Sequence, residues 1–407
     1  MAQFSEVRQN DAAADAAQLL SRIGYAALAV ATPSAATLSS RAMFVLFPVS
    51  VALLLVAATL DPVAGIGARV RAFAASPIVW ATAALLAWAA LSLLWTPFPM
   101  PGAQRLLKIV MTSLAAVAVA VTAREHMRAT DLYLFPIGAL GLMATIFALW
   151  LAEQQTQTPD AGRIEAGGVA MAMLLFPAMG GLAARGRNGY ARTLMVLGLV
   201  YAFAIDSPAI TASLLVGVAV FSFAVSDIER TARDIGRGFA VLLLITPIVL
   251  ALSPELARLI FHAKLASLPP PYPTVAAAAN LVLHDAARLV TGHGIDTVVQ
   301  GVAAGLLPTA TPRVAAFEIW YEFGVLGAVA AAAAIWRGFD SIGRAPPRLA
   351  PFLAATFAVN LTLAFVSEGL AQMTWITLLA ISGIALSVAS RSQYRTTRPS
   401  AAGLARF

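Results

Sequence analysis

Two glutamates four residues apart, Glu318 and Glu322, stand just ahead of an apolar run from Val325 to Ile335, and Arg313 precedes them. At that spacing the carboxylates share one helical face, where like charges repel unless something offsets one of them. The expected offset is a proton or a cation such as Arg313 or Arg288. Charge at the mouth of an apolar helix is costly and usually has a task. A carboxylate held there suits a general base or a group that positions an acceptor hydroxyl. The same residues equally suit an ion pair tying a loop to the helices. A second pair, Arg105 and Lys108, follows "WTPFPMPGAQ" and opens another apolar run. Three residues apart, they share a face at the depth of lipid headgroups. Two cations there suit a phosphate or diphosphate, or they snorkel to ordinary headgroups. His293 lies between Gly292 and Gly294, a pattern that marks a tight turn.

The elements that must position these residues follow from composition. Apolar residues make up 60% of the 407, charged residues 12%, and the mean hydropathy is +0.81. Soluble domains are about a quarter charged, so the chain reads as an all-α polytopic membrane protein. Continuous rather than alternating apolar runs exclude a transmembrane barrel. The absence of cysteine excludes disulfides, thiol catalysis and cysteine-based metal sites. No Walker loop, dinucleotide-binding glycine pattern or Ser-His-Asp spacing is present. The net charge of +7 reads as topology rather than as a nucleic-acid surface.

Twelve apolar segments can be marked, near 23–38, 42–60, 76–95, 104–123, 131–151, 167–184, 190–205, 208–226, 238–252, 315–336, 349–366 and 370–390. The expected organisation is a cytoplasmic tail (1–22), transmembrane helices 1–9 (23–252), a long outer loop (253–314), helices 10–12 (315–390) and a second cytoplasmic tail (391–407). The loop holds "SLPPPYP", "HDAARLVTGHGID" and "LLPTATPR" and is expected to form short amphipathic helices. With the N-terminus inside, 19 of the 27 Lys and Arg residues fall on the cytoplasmic side, as the positive-inside rule requires. The other eight, Arg41, Arg105, Lys108, Arg163, Arg258, Lys264, Arg288 and Arg313, fall outside. That rule does not explain them, which makes them informative. His126 falls inside; His262, His284 and His293 fall in the outer loop.

The order of features resembles the bacterial O-antigen ligase and polymerase superfamily of inner-membrane proteins. "WAALSLLWTPFPMPGAQRLLKIV" is similar to that family's Trp-Ser-Pro stretch and basic helix start. "MAMLLFPAMG" and "FAIDSPAITASLLVGVAVF" resemble its sixth and eighth helices, and "FVSEGLAQMTW" its final hairpin. A long loop with Gly292 and Gly294 precedes a helix carrying Glu322, Gly324 and Gly327, similar to the family's Glu-x-Gly-x-x-Gly. Where a related branch reads His-Pro-His-Asn-x-x-Leu-Gln, this chain has Thr311, Pro312, Arg313, Val314, Phe317 and Glu318. The family's arginine at the start of the sixth helix is replaced, with Glu165 and Ala166 in that neighbourhood.

The resemblance implies a transferase that moves a glycan from undecaprenyl diphosphate to a glycan or lipid A-core acceptor on the outer face of the inner membrane. It implies neither metal nor cofactor, since the diphosphate is itself the leaving group, and no nucleic acid. Glu318, Glu322 and Arg313 are then the candidate catalytic residues. Arg105, Lys108, Arg288 and His293 are the candidates for holding substrate. The altered histidine motif leaves a second account open, a non-catalytic subunit that binds the carrier lipid or completes a complex. A permease ranks last, because no ionisable residue falls at the centre of any span.

Overall fold

The computed structural model describes residues 2–61, 65–123, 129–155, 161–261, 280–283 and 285–391. Among them every regular element is helical and no strand occurs. Among the described residues eight helices are long and apolar enough to cross a membrane, and nine if the pair Ile228–Leu244 and Thr246–Ser253, bent by 65°, counts as one broken span. This is the architecture of a polytopic membrane protein. Large apolar side chains stand exposed along these helices, Trp80, Leu107, Leu114 and Phe223 among them, as a lipid-facing surface requires.

The chain divides into two compact units. The first comprises residues 1–64, 115–207 and 380–407. It contains α1 (Ala2–Ala26), α2 (Thr32–Leu38) and α3 (Ser40–Leu60). A wider π-turn over Ala27–Ala31 joins α1 to α2, and the Thr32 hydroxyl donates to the Ala27 carbonyl across it (2.8 Å). The stretch expected as a tail before residue 23 is therefore helical, and its Ala17 is fully buried. The sequence hides this, because Glu6, Arg8, Asn10, Asp11 and Asp15 interrupt the apolar continuity that marks a span. The unit's centre is a helix apolar on every side, Ala161–Ala184, which packs against Ala129–Gln155, Asn188–Ala204 and α2. Met171, Met173, Leu175, Phe176 and Met179 are all fully or almost fully buried along it. A helix apolar all round is stable only when wrapped on all sides.

The second unit comprises residues 65–114 and 208–379. In chain order its helices are α4 (Ile66–Ala74), α5 (Pro77–Leu91), the first half of α6 (Pro99–Thr122), then α7 (Pro208–Ser226), α8 (Ile228–Leu244) and α9 (Thr246–Phe261). Two short helices follow, α10 (Ala286–Thr291) and α11 (Thr297–Ala303), and then α12 (Ala315–Gly343) and α13 (Ala350–Val366). α12 is the hub, packed by α5, α8, α10 and α13. Phe317, Trp320, Ala328 and Phe339 are buried on it, and the Trp320 indole donates to the Leu243 carbonyl (2.7 Å). Of the stretch expected as an outer loop from 253, the first part to Phe261 continues α9, and the described part from 285 holds the two short helices α10 and α11. Residues 262–279 with "SLPPPYP", together with His126, His262, Lys264, His284 and the Arg258 side chain, lie outside the described residues.

Candidate functional site

The helix that carries Glu318 and Glu322 is broken two residues after Glu322. Gly324 has φ 63° and ψ −161°, so the nine residues Ala315–Phe323 form a separate short segment ahead of the longer apolar one. A break in a helix orphans the carbonyls of the preceding turn, and in an apolar surround each must find a donor. Here three donors come from elsewhere in the unit. His293 N–H donates to the Tyr321 carbonyl and Gly294 N–H to the Glu322 carbonyl, both at 2.9 Å. The Trp88 indole N–H of α5 donates to the Phe323 carbonyl, also at 2.9 Å. The turn and the break require glycine on each other's account. A Cβ on Gly324 would stand 2.6 Å from the Gly292 nitrogen, and one on Gly292 would stand 2.2 Å from the Glu322 carbonyl oxygen.

The turn is fixed on its other side by the stretch before α6. Ser92 accepts from the Ile295 N–H (3.1 Å), and Thr96 donates to the Ile295 carbonyl (2.9 Å). Pro99 then starts α6, a position where the missing N–H costs nothing. Thus "LSLLWTPFP", "GHGID" and the first turns of α12 meet, although nearly 200 residues separate the first from the second.

At this meeting point Arg105 of α6 is clamped by three carboxylates. Its Nη1 donates to Asp296 and to Glu322, each at 3.1 Å, and Nη2 donates to Glu318 at 2.9 Å. Glu318 also accepts from the Leu370 N–H (2.6 Å), Glu322 from the Val298 N–H (3.3 Å), and Asp296 from the Gln300 amide (3.0 Å). Exposure is 6% for Arg105 and 0% for both glutamates. Buried charges persist only when paired and hydrogen-bonded. Even so, among the described residues Glu318 Oε1, Glu322 Oε2 and Arg105 Nε have no hydrogen-bond partner.

The cation expected to offset the glutamates is therefore neither Arg313 nor Arg288. Arg313 is exposed. Arg288 is half-buried and donates weakly to the Gly292 carbonyl (3.4 Å). Nor do Arg105 and Lys108 present a joint pair, because Arg105 is buried among carboxylates while Lys108 is exposed. About one turn along α6 separates a guanidinium buried among the carboxylates from an exposed ammonium. Asp296, the third carboxylate, is legible in the sequence only as an acid beside a turn. With φ 67° it sits in the left-handed region that Asp tolerates.

His293 faces a different environment. Its ring stacks on Tyr321, with centroids 4.1 Å apart and planes 7° from parallel. Nδ1 lies 3.1 Å from the Tyr321 carbonyl. A carbonyl can only accept, so Nδ1 carries the proton and Nε2 keeps its lone pair. Partial burial holds the imidazole pKa below its ordinary 6.5, and the positive charge of Arg288 acts in the same direction. The side chain is thus a neutral imidazole at neutral pH with a basic nitrogen to offer. Among the described residues, no group of three His, Asp or Glu side chains is arranged to hold a metal ion.

No protein-family model, curated protein or solved structure matches this chain.

Proposed function

We propose that the chain is a glycan transferase of the O-antigen ligase type, acting on an undecaprenyl-diphosphate-linked donor at the outer face of the inner membrane. The observation that carries this reading is convergence. The basic helix start, the Gly-His-Gly turn and the Glu-x-Gly-x-x-Gly helix, three of the stretches on which the resemblance rests, form one polar centre at a break in α12. Within it the roles differ from those the sequence suggests. Glu318 and Glu322 have no exposed surface, so they position Arg105 and the turn rather than meet an acceptor. His293 is the base: Nε2 takes the proton of the acceptor hydroxyl, whose oxygen displaces the diphosphate at the anomeric carbon with inversion. Arg313 and Lys108, both exposed, are the cations that remain to neutralise the departing diphosphate. Twelve spans, both termini in the cytoplasm and an outer loop over 253–314 belong to the same reading.

The closed state of the two glutamates favours a second reading, a non-catalytic subunit that binds the carrier lipid or completes a complex. Deletion of the gene in its native bacterium, followed by electrophoresis of surface glycans, separates the two. The transferase reading expects a missing glycan band that wild type restores and His293→Ala does not, with the variant present in membranes at the wild-type level. Restoration by His293→Ala would favour the second reading. An unchanged glycan profile in the deletion strain would refute the transferase reading.

A further inference from the structure

Asp227 caps α8, its carboxylate accepting from the Arg230 N–H (3.0 Å). Ala232, Gly236 and Leu243 then fall at helical spacing and are buried. This face packs on α12. A Cβ on Gly236 would stand 2.7 Å from Phe339 Cβ, and one on Gly343 would stand 3.3 Å from Ala232 Cβ. The two helices therefore run antiparallel, with Gly236 level with Phe339 and Ala232 level with Gly343.

The opposite face of α8 is exposed. Arg230, Arg233, Arg237, Val241 and Leu244 recur along it every three or four residues. Cations occupy the first half of this stripe and aliphatic side chains the second. Its acids do not cancel it. Asp234 pairs with Arg230 (3.6 Å), and among the described residues neither Arg233 nor Arg237 makes an ion pair. Glu229 lies to one side. Arg233 and Arg237 are one turn apart and hence surface neighbours, so both guanidiniums reach one anion between them.

α12 fixes the depth of the stripe. Trp336, partly exposed, stands about one turn from Phe339, which places it level with α8 just beyond Arg237. The Arg337 guanidinium lies over the Trp336 ring, 4.8 Å from its centroid. An exposed tryptophan beside a cation belongs at the boundary between headgroups and hydrocarbon. Arg233 and Arg237 thus sit at headgroup depth, with Val241 and Leu244 in the acyl region. The transferase centre, at the other end of α12, uses none of these residues.

We infer that this stripe binds an acidic phospholipid, its phosphate between Arg233 and Arg237 and an acyl chain along Val241 and Leu244. A zwitterionic lipid offers the chain without net charge, and a soluble anion offers no chain. The cation pair above an apolar track therefore selects an acidic lipid. The distribution of arginine assigns these residues to the cytoplasmic side, where acidic headgroups meet basic helix ends. The inference is independent of the transferase reading, because lipid retention is measured without glycan transfer.

The test places the full chain in phosphatidylcholine nanodiscs carrying one-tenth phosphatidylglycerol and identifies the retained lipids by native mass spectrometry. Wild type should retain phosphatidylglycerol above its share of the bilayer. A cation at the membrane surface contributes a factor of about five to acidic-lipid affinity. Each of Arg233→Gln and Arg237→Gln should lose about that factor, and the pair about 25-fold. Arg192→Gln, at an exposed position of the first unit, should retain lipid as wild type does. All three positions are exposed, so the variants should fold, and equal melting midpoints in phosphatidylcholine alone check this. The inference is overturned if wild type shows no preference for phosphatidylglycerol, if the double variant keeps it, or if Arg192→Gln loses it equally. Binding of a glutamate-rich peptide in place of the lipid would assign the stripe to a protein partner and overturn it as well.

Discussion

At the scale of residues, one guanidinium organises the second unit. Removing one member of a buried ion cluster leaves the others uncompensated, which costs about 3–5 kcal/mol. Arg105→Met strands three carboxylates at once and should lower the thermal midpoint of the detergent-solubilised protein sharply, whereas Lys108→Met, at an exposed position, should leave it unchanged. His293 makes a prediction in pH. The fold favours the neutral ring, so the unfolded chain takes up a proton that the native chain refuses between the native value and 6.5. The stability that His293 contributes is complete above 6.5 and lost as pH falls through that window. A pH series of melting midpoints should show this loss in wild type and a smaller one in His293→Gln. Arg105, Glu318 and Glu322 can each be singled out from the sequence by type and spacing. Their mutual pairing cannot, because 213 and 217 positions separate the arginine from the glutamates. Asp296 carries no signal beyond that of a turn acid, since its place in the cluster depends on a helix that approaches from far away in the chain.

At the scale of elements, the break in α12 decides where the centre sits. Apolar continuity from Val325 onward reads as one span beginning near 315, and nothing in a hydropathy pattern distinguishes a helix broken at a glycine from an intact one. The structure separates a nine-residue segment that carries the glutamates from a longer apolar segment. Holding Gly324 at positive φ costs an alanine about 1–3 kcal/mol in backbone strain alone. Its Cβ would also stand 2.5 Å from the Val290 carbonyl oxygen. Gly324→Ala should therefore destabilise by more than Trp88→Phe, which removes the donor to the Phe323 carbonyl, at about 1–3 kcal/mol, and trims the ring that meets Trp95. Urea or thermal unfolding followed by far-ultraviolet circular dichroism checks the order. Equal midpoints for Gly324→Ala and wild type would mean that the break plays no part in the fold.

At the scale of the molecule, the long apolar runs are legible because lipid exposure demands about 20 continuous apolar residues. Eight of them reappear as helices that meet that demand, with the bent pair as a ninth. The segments near 23–38, 190–205 and 349–366 do not reach it; the first is divided by the π-turn, and the other two are helices of 17 residues, Asn188–Ala204 and Ala350–Val366. Orientation rests on the distribution of arginine, and the chain's lack of cysteine makes it directly measurable. Ala304→Cys, exposed on the side assigned outside, should react with a membrane-impermeant maleimide in intact cells. Asn188→Cys should react only after permeabilisation, and the opposite pattern would invert the topology.

In the proposed reaction a neutral His293, held by a broken helix and an arginine-locked turn, removes the acceptor proton during transfer from a diphosphate carrier. The most direct measurement is release of undecaprenyl diphosphate by the purified protein, given a carrier-linked glycan and the matching acceptor, for wild type and His293→Ala side by side. Wild type should release it at a rate that persists below pH 6.5, and the variant's rate should fall roughly 100-fold or more in protein that stays folded at the assay temperature. Equal release by the two proteins, or none by wild type with every substrate present, would contradict the proposal.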